Sequence, residues 1–344
     1  MRLLITGVTG QDGWYLAEAA LAAGHEVYGL VRGQDNPREP ELAQAFPSLR
    51  RLRGDLLDAS SVDRAVDEAR PDAIVNLGAM TFVPLSWQEP ELALRIIAGG
   101  ALNVLNAAVR HGVGRVVQAS TSEMFGNRPE GLGHVGADDA LNEDSPMLPA
   151  SPYGTAKLAA HHLCRNYRAA HGLSAVSAIM FNHESPRRPP IFVTRKITQA
   201  VADIRAGRRR VLKLGAVGAP RDWGWAPDNA EALLLLAEAP RVARESYVIA
   251  TGVAATVDAF TRRAFWLAGV RLGEHTEVDP NLERPSEVWA LRGDASAIGA
   301  EHGWRARHDW RGVCALMVAA DLRLAGLAEA AATAESLCAA EALP

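Results

Sequence analysis

Four side chains in two short stretches have the types and spacing to move protons. Tyr153 and Lys157 stand four residues apart, so on a helix they project from one face a turn apart, an ammonium beside a phenol. Free tyrosine titrates near ~10, and a neighbouring cation favours the phenolate, which brings Tyr153 within reach of acting as a base near neutral pH. Upstream, the run Ala119-Ser-Thr121-Ser122-Glu123 closes an apolar stretch with a hydroxyl and a carboxylate. If strand geometry persists, Thr121 and Glu123 face the same side. Taken alone, a half-buried tyrosine with a solvated lysine, or a polar turn, would account for either stretch. Together the four residues form a consistent set for oxidation followed by elimination.

Oxidation needs a hydride acceptor, and the N-terminus offers a place for one. Gly7-Val-Thr9-Gly10-Gln11-Asp12-Gly13 follows an apolar run and opens a helical pattern. Glycines therefore fall where a turn is tight and where backbone must approach a pyrophosphate at a helix N-terminus. At the end of the second strand stands Arg32, where an NAD enzyme would usually place an acid for the ribose 2′-hydroxyl. An arginine there can pair with a 2′-phosphate, which favours NADP. Asp55 and Leu56, after the third strand, are placed to meet the adenine, and Leu77 to Thr81, including Ala79, to line the middle of the cofactor.

These residues must be held by alternating strands and helices. β-like runs near Leu3 to Thr6, Glu26 to Val31, Leu49 to Gly54, Ala73 to Leu77, Arg115 to Ala119, Ala175 to Met180 and Tyr247 to Ala250 predict a seven-strand sheet. Helical spacing fills Gly13 to Ala23, Pro90 to Arg110 and Tyr153 to Ala170, and an Ala-rich helix follows Ala325. The rhythm is that of an α/β protein with a doubly wound parallel Rossmann sheet and a smaller C-terminal α/β substrate-binding cap. The expected division is residues 1–181 for the cofactor, with a returning segment near 222–251, and mainly cap over 182–344. Pro and Gly density rises from Asn182, and Arg187 to Lys196, Gly215 to Trp225 and Asp279 to Glu287 read as loops that meet a ligand.

Composition narrows the class. The 344 residues carry a formal charge of −4 and scattered arginines, which give no field for a nucleic-acid backbone. Cys164, Cys314 and Cys338 show neither metal-ligand spacing nor an even disulfide set, and no signal-peptide core opens the chain. A cytoplasmic setting without metal is expected. No run is expected to reach the ~20 apolar residues of a membrane helix.

The chain resembles the GDP-mannose 4,6-dehydratases, a family of extended short-chain dehydrogenase/reductases. The likeness runs through Gly7 to Gly13, Asn76-Leu-Gly-Ala79, Ala119 to Glu123, Ser151-Pro-Tyr153 with Lys157, and Phe181-Asn-His-Glu-Ser-Pro-Arg-Arg188. It continues in Phe192-Val-Thr-Arg-Lys-Ile197, Arg221-Asp-Trp-Gly224, Val248 to Gly252, Arg284-Pro-Ser-Glu-Val288 and Gly303-Trp304. The resemblance implies Thr121, Glu123 and Tyr153 in catalysis, with Lys157, His183 and Arg188 touching the cofactor. It implies Ser86, Asn182, Val193, Lys196, Arg221, Arg284 and Glu287 as holders of a nucleotide-sugar, GDP-mannose in the first place. It also implies a homodimer or homotetramer, joined through the Pro90 to Arg110 and Tyr153 to Ala170 helices.

Several positions depart from the family pattern. Gly33-Gln-Asp-Asn-Pro37 replaces a second arginine and serines, Leu92 replaces a tyrosine, Pro189-Pro190 replaces glycine, and the Asn127 to Pro146 segment is longer. The alternatives are a dehydratase of another nucleotide-sugar, a 4-epimerase or reductase of the same superfamily, and a non-catalytic NADP-binding sensor. Glu123 speaks against the epimerase or reductase, and the Tyr153–Lys157 pair against the sensor.

Overall fold

A computed structural model describes residues 1–33, 36–127, 140–279, 288 and 291–341. The strands are β1 Arg2–Thr6, β2 Glu26–Val31, β3 Arg50–Arg53, β4 Ala73–Asn76, β5 Arg115–Thr121, β6 Ser174–Met180, β7 Asn182–Glu184, β8 Leu212–Leu214, β9 Pro220–Trp225, β10 Ser246–Ile249, β11 Ala254–Thr256 and β12 Thr276–Val278. Seven of them form a parallel sheet in the order β10-β6-β5-β4-β1-β2-β3, and these are the seven expected from the sequence. The order reverses direction between β1 and β4, and in doubly wound sheets ligands bind outside the strand ends at such a switch point.

Central strands such as β4 and β5 are buried at every residue, as a sheet covered by helices on both faces requires. One face packs against the Gln11–Ala22 and Ala226–Glu238 helices, and the other is covered by Ala59–Ala69, Gly100–Arg110 and Pro152–His171. β10 pairs in parallel with β6, so the chain returns to the large sheet after visiting the second layer.

The smaller layer has its own core around Trp223, Phe260, Phe265 and Trp310. A buried ion pair, Arg195 with Asp321, links the Val193–Arg205 and Trp310–Leu324 helices beneath it. Its central strand, β9, pairs in parallel with β7 and antiparallel with β11. Sequence reading took Gly215 to Trp225 and Arg187 to Lys196 for loops. Instead, residues 220–225 form β9 despite their proline and glycine, and Val193 opens a helix, because pairing with β7 and burial of Trp223 outweigh local propensity. The Ala-rich tail forms a helix, Ala328–Glu341.

Residues Pro90–Arg110 form one 21-residue helical run that is long and apolar enough by length and mean composition to cross a membrane, although Glu91, Arg95, Asn103 and Asn106 interrupt its apolar residues. Its inner face packs on the Ala59–Ala69 and Pro152–His171 helices, which is the place of a core helix. A π-turn at Arg95–Gly99 interrupts it, turning Ile96 toward the cofactor cleft while Ile97 packs with Tyr153 and Ala156.

Candidate active site

Three recesses meet at the carboxyl ends of β1, β4 and β5. The first, about 560 Å³, is lined by Gly7, Thr9, Gly10, Gln11, Asp12 and Gly13 of the first loop, and by Arg32, Asp55, Leu56, Leu77, Ala79 and Thr81. Gly7 has a left-handed φ of +67°, and a Cβ on Gly13 would lie 2.5 Å from the carbonyl oxygen of Gly7. The loop therefore closes on itself, with the Gly10 amide donating to Gly7 O at 2.9 Å. Gly10 caps the Gln11–Ala22 helix without a side-chain hydrogen bond, so the first amides are open to an anion. The glycine cradle, the uncapped helix start and the volume of the cleft fit a dinucleotide, as expected. Leu92, the apolar replacement, lines the same cleft.

The second recess, about 530 Å³, lies over the small layer and contains Asn182, Val193, Lys196 and Arg221. β7 and β9 pair Asn182 with Trp223, which brings Arg221 and Asn182 onto one cleft wall. Burial and the nearby Arg209 guanidinium hold Lys196 below the ordinary lysine range, and Asp279 opposes them. Arg284 and Glu287 lie outside the described residues.

Between the two sits a recess of about 100 Å³ that collects Thr121, Glu123, Tyr153, Lys157 and His183. Strand geometry does not persist to Glu123 as the sequence suggested. β5 ends at Thr121, whose hydroxyl accepts from the Glu123 amide at 3.3 Å and caps the 3-10 turn Ser122–Met124, yet both side chains still reach the same pocket. Ser151 caps the Pro152–His171 helix by accepting from the Gly154 amide at 3.1 Å, placing Tyr153 and Lys157 in its first turns.

The Lys157 ammonium donates to Ala119 O at 2.9 Å and stands 5.9 Å from the centre of the Tyr153 ring. Burial pulls it down to about 8, against the pull of Asp12. Burial pushes the Tyr153 phenol up to about 12, opposed by the Thr121 hydroxyl and reinforced by the Glu123 carboxylate. In the protein alone Tyr153 thus stands away from neutrality, contrary to the expectation, because desolvation of the ring outweighs the Thr121 hydroxyl and the Arg188 guanidinium.

Ser86, implied as a substrate contact, is held by backbone partners in the protein alone. It is fully buried, donates to Val83 O at 2.7 Å and accepts from the Tyr153 amide at 3.1 Å, so it positions the backbone of Tyr153.

Arg188 and Phe192 line all three recesses, and the Arg188 guanidinium stacks 3.7 Å above the Phe192 ring. The carboxylate of buried Glu184 accepts from the Thr194 hydroxyl at 2.6 Å and lies 3.2 Å from Arg188 Nε. Phe192 and Glu184 carry no chemistry that sequence alone assigns. A carboxylate and an aromatic flanking two arginines, Arg187 and Arg188, were the available signal.

A parallel dinucleotide fold with a Thr, Glu, Tyr and Lys set between two clefts defines a nicotinamide-dependent enzyme of the extended short-chain dehydrogenase/reductase class. The family model for GDP-mannose 4,6 dehydratase matches residues 4–317. GDP-mannose 4,6 dehydratase 1 of Arabidopsis thaliana is 40% identical over 335 residues, covering 94% of this chain and 90% of the relative. The human GDP-mannose 4,6 dehydratase is 36% identical over 349 residues, covering 93% and 91%. The chain belongs to the GDP-mannose 4,6-dehydratase family. Among solved structures, the UDP-glucose 4-epimerase of Thermus thermophilus with NAD superposes at a TM-score of 0.79 with 28% identity, covering 94% of this chain and 99% of the other. A double mutant of the dTDP-glucose 4,6-dehydratase of Streptomyces venezuelae, with NAD bound, also gives 0.79, at 26% identity and with coverages of 92% and 96%.

Proposed function

We propose that the protein is an NADP-dependent hydro-lyase that converts GDP-mannose to GDP-4-keto-6-deoxymannose. The observation that carries this reading is the convergence of Thr121, Glu123, Tyr153 and Lys157 in one small recess between a dinucleotide-sized cleft and a second cleft bearing Lys196 and Arg221. Lys196 and Arg221 suit the diphosphate of a nucleotide-sugar, and Asn182 and Val193 lie beside them.

Thr121 orients the sugar 4-hydroxyl and Tyr153 takes its proton, with Lys157 holding the site positive. The Gly7 to Gly13 loop would hold a dinucleotide whose nicotinamide would supply the hydride acceptor for C4 and the hydride donor for C6. The ketone at C4 acidifies the C5 proton. Glu123 removes that proton and delivers it to the C6 hydroxyl, which departs as water; the proton that Tyr153 took from the 4-hydroxyl balances the one restored at C5, so the cycle closes with water as the sole by-product. Glu123 is the feature that an epimerase or reductase would not need.

NADP is preferred to NAD because Arg32 lines the adenosine side of the cleft where a 2′-hydroxyl enzyme would carry an acid. Residues 1–181, with the return near 222–251, serve the cofactor, and 182–344 mainly the substrate. The protein works in the cytoplasm, in keeping with its buried free Cys164 and Cys314, as a homodimer or homotetramer.

The test is incubation with GDP-mannose and NADP+ followed by mass spectrometry. Loss of one water that disappears in both Glu123→Gln and Tyr153→Phe supports the reading. GDP-mannose left intact by a protein that binds NADP+ refutes the substrate assignment, and UDP-, TDP-, CDP- and ADP-sugars are then tried.

A further inference from the structure

We infer that Arg38 is the second cation of the cofactor's 2′-phosphate site and sets the choice of NADP over NAD. The inference rests on NADP as the cofactor and deepens that reading. A phosphate monoester carries close to two negative charges at neutral pH, more than one guanidinium neutralises. Arg32 and Arg38 line the same cleft, and Arg38 also lines the adjoining recess beside Thr9 and Gly10.

Asn36 and Arg38, just ahead of the Glu39–Ala45 helix, are tied toward the glycine loop. Asn36 Nδ2 donates to the Thr9 hydroxyl at 3.4 Å, and Asn36 Oδ1 accepts from the Arg38 amide at 3.1 Å. Arg38 therefore sits where the end of β2 faces the turn that carries the pyrophosphate.

Among the described residues, the acids that follow it in sequence are already taken. Glu39 pairs with Arg51 at 3.3 Å and Arg53 at 2.6 Å, and Glu41 pairs with Arg187 at 2.7 Å. Arg187 is further fixed by stacking 3.2 Å over the Trp14 ring. Among the described residues, neither Arg32 nor Arg38 has a side-chain ion pair or hydrogen bond, while the arginines around them do. Two unpaired guanidiniums in one cleft raise the local positive potential and offer two forks to one phosphate.

The test is calorimetric titration of the wild type, Arg38→Ala and Arg38→Lys with NADP+, NAD+, 2′,5′-ADP and 5′-ADP, with circular dichroism to verify the fold. Arg38→Ala is expected to weaken NADP+ and 2′,5′-ADP by about tenfold or more, the usual loss of one hydrogen bond to a charged group, and to leave NAD+ and 5′-ADP unchanged. Arg38→Lys is expected to recover part of the loss. Equal weakening of NADP+ and NAD+ assigns Arg38 to loop structure, and no weakening removes it from the site; either result overturns the inference. A wild type that binds 2′,5′-ADP no better than 5′-ADP refutes the NADP reading itself, a failure distinct from that of Arg38 alone.

Discussion

The imidazole Nε2 of His183, on β7, lies 3.0 Å from Oδ1 of Asp12, in the first turn of the Gln11–Ala22 helix. Its other nitrogen is 2.7 Å from Phe181 O. Two further bonds run alongside: the Ser185 hydroxyl donates to Gln11 Oε1 at 2.7 Å, and Gln11 Nε2 donates to His183 O at 3.2 Å. The cofactor loop and the segment that leads into the substrate cleft are thereby one hydrogen-bonded unit.

The pair gives stability a pH signature. Burial works against the His183 cation, but the Asp12 carboxylate outweighs it and raises the imidazole above its ordinary range. Burial also works against the Asp12 carboxylate, yet His183 and Arg188 bring it down to about 2. A raised histidine contributes fully below its unfolded value of ~6.5 and loses that contribution as pH rises through the folded value. A depressed aspartate contributes above ~3.9 and loses it as pH falls toward the folded value. The pair is therefore strongest between about pH 4 and 6.5. Differential scanning fluorimetry from mildly acid to mildly alkaline pH should show the wild type losing midpoint temperature that His183→Gln does not lose. Parallel curves for the two proteins would remove the pair from the stability of the fold.

Glu123 and Tyr153 should fail at different steps. Tyr153→Phe is expected to lower turnover by about 10²- to 10⁴-fold, the usual range for a positioned acid or base, with no reduced cofactor formed from GDP-mannose. Glu123→Gln should still oxidise C4, so reduced cofactor accumulates, and C5 should not exchange with deuterium from solvent. Rapid C5 exchange in Glu123→Gln would assign the base elsewhere.

Ser86 separates a positioning role from a substrate contact. Ser86→Ala leaves the buried Tyr153 amide without its acceptor, a loss of about 1–3 kcal/mol. Thermal stability and kcat should both fall while KM for the nucleotide-sugar holds. A rise in KM alone would return Ser86 to the substrate cleft.

Leu94 and Leu102 are exposed on the outer face of the Pro90–Arg110 run, at 43% and 36%. If this face joins two copies, sedimentation at micromolar concentration should give a dimer or tetramer for the wild type and a monomer for Leu94→Glu/Leu102→Glu. A monomeric wild type would end the proposal of self-association.

Most strands of the large sheet were legible as short, largely apolar runs, and β3, three arginines around the buried Leu52, by its place in the rhythm; their parallel arrangement followed from the alternation with helices. The cofactor loop was legible because its glycines answer a local demand, a turn closed to any Cβ. β9 was not, since its stability comes from partners 182–184 and 254–256 that local pattern does not reveal. Arg38 escaped notice for a similar reason: only the return of the chain toward Thr9 brings it into the cleft with Arg32. The Tyr153 titration was misjudged because spacing gives the neighbour, Lys157, and not the depth at which the ring is buried. The backbone bonds of Ser86 were not legible because hydroxyls that hold backbone and hydroxyls that hold ligands look alike in sequence.

The Arg187 guanidinium, stacked on Trp14 and paired with Glu41, fastens the segment after β7 across the outer side of the glycine loop. A redox-neutral cycle hands its electrons back within each turnover, so the dinucleotide has no errand outside the protein. A fastening that slows its departure costs such an enzyme no speed, whereas in a dehydrogenase that trades oxidised for reduced cofactor the same clasp would throttle every cycle.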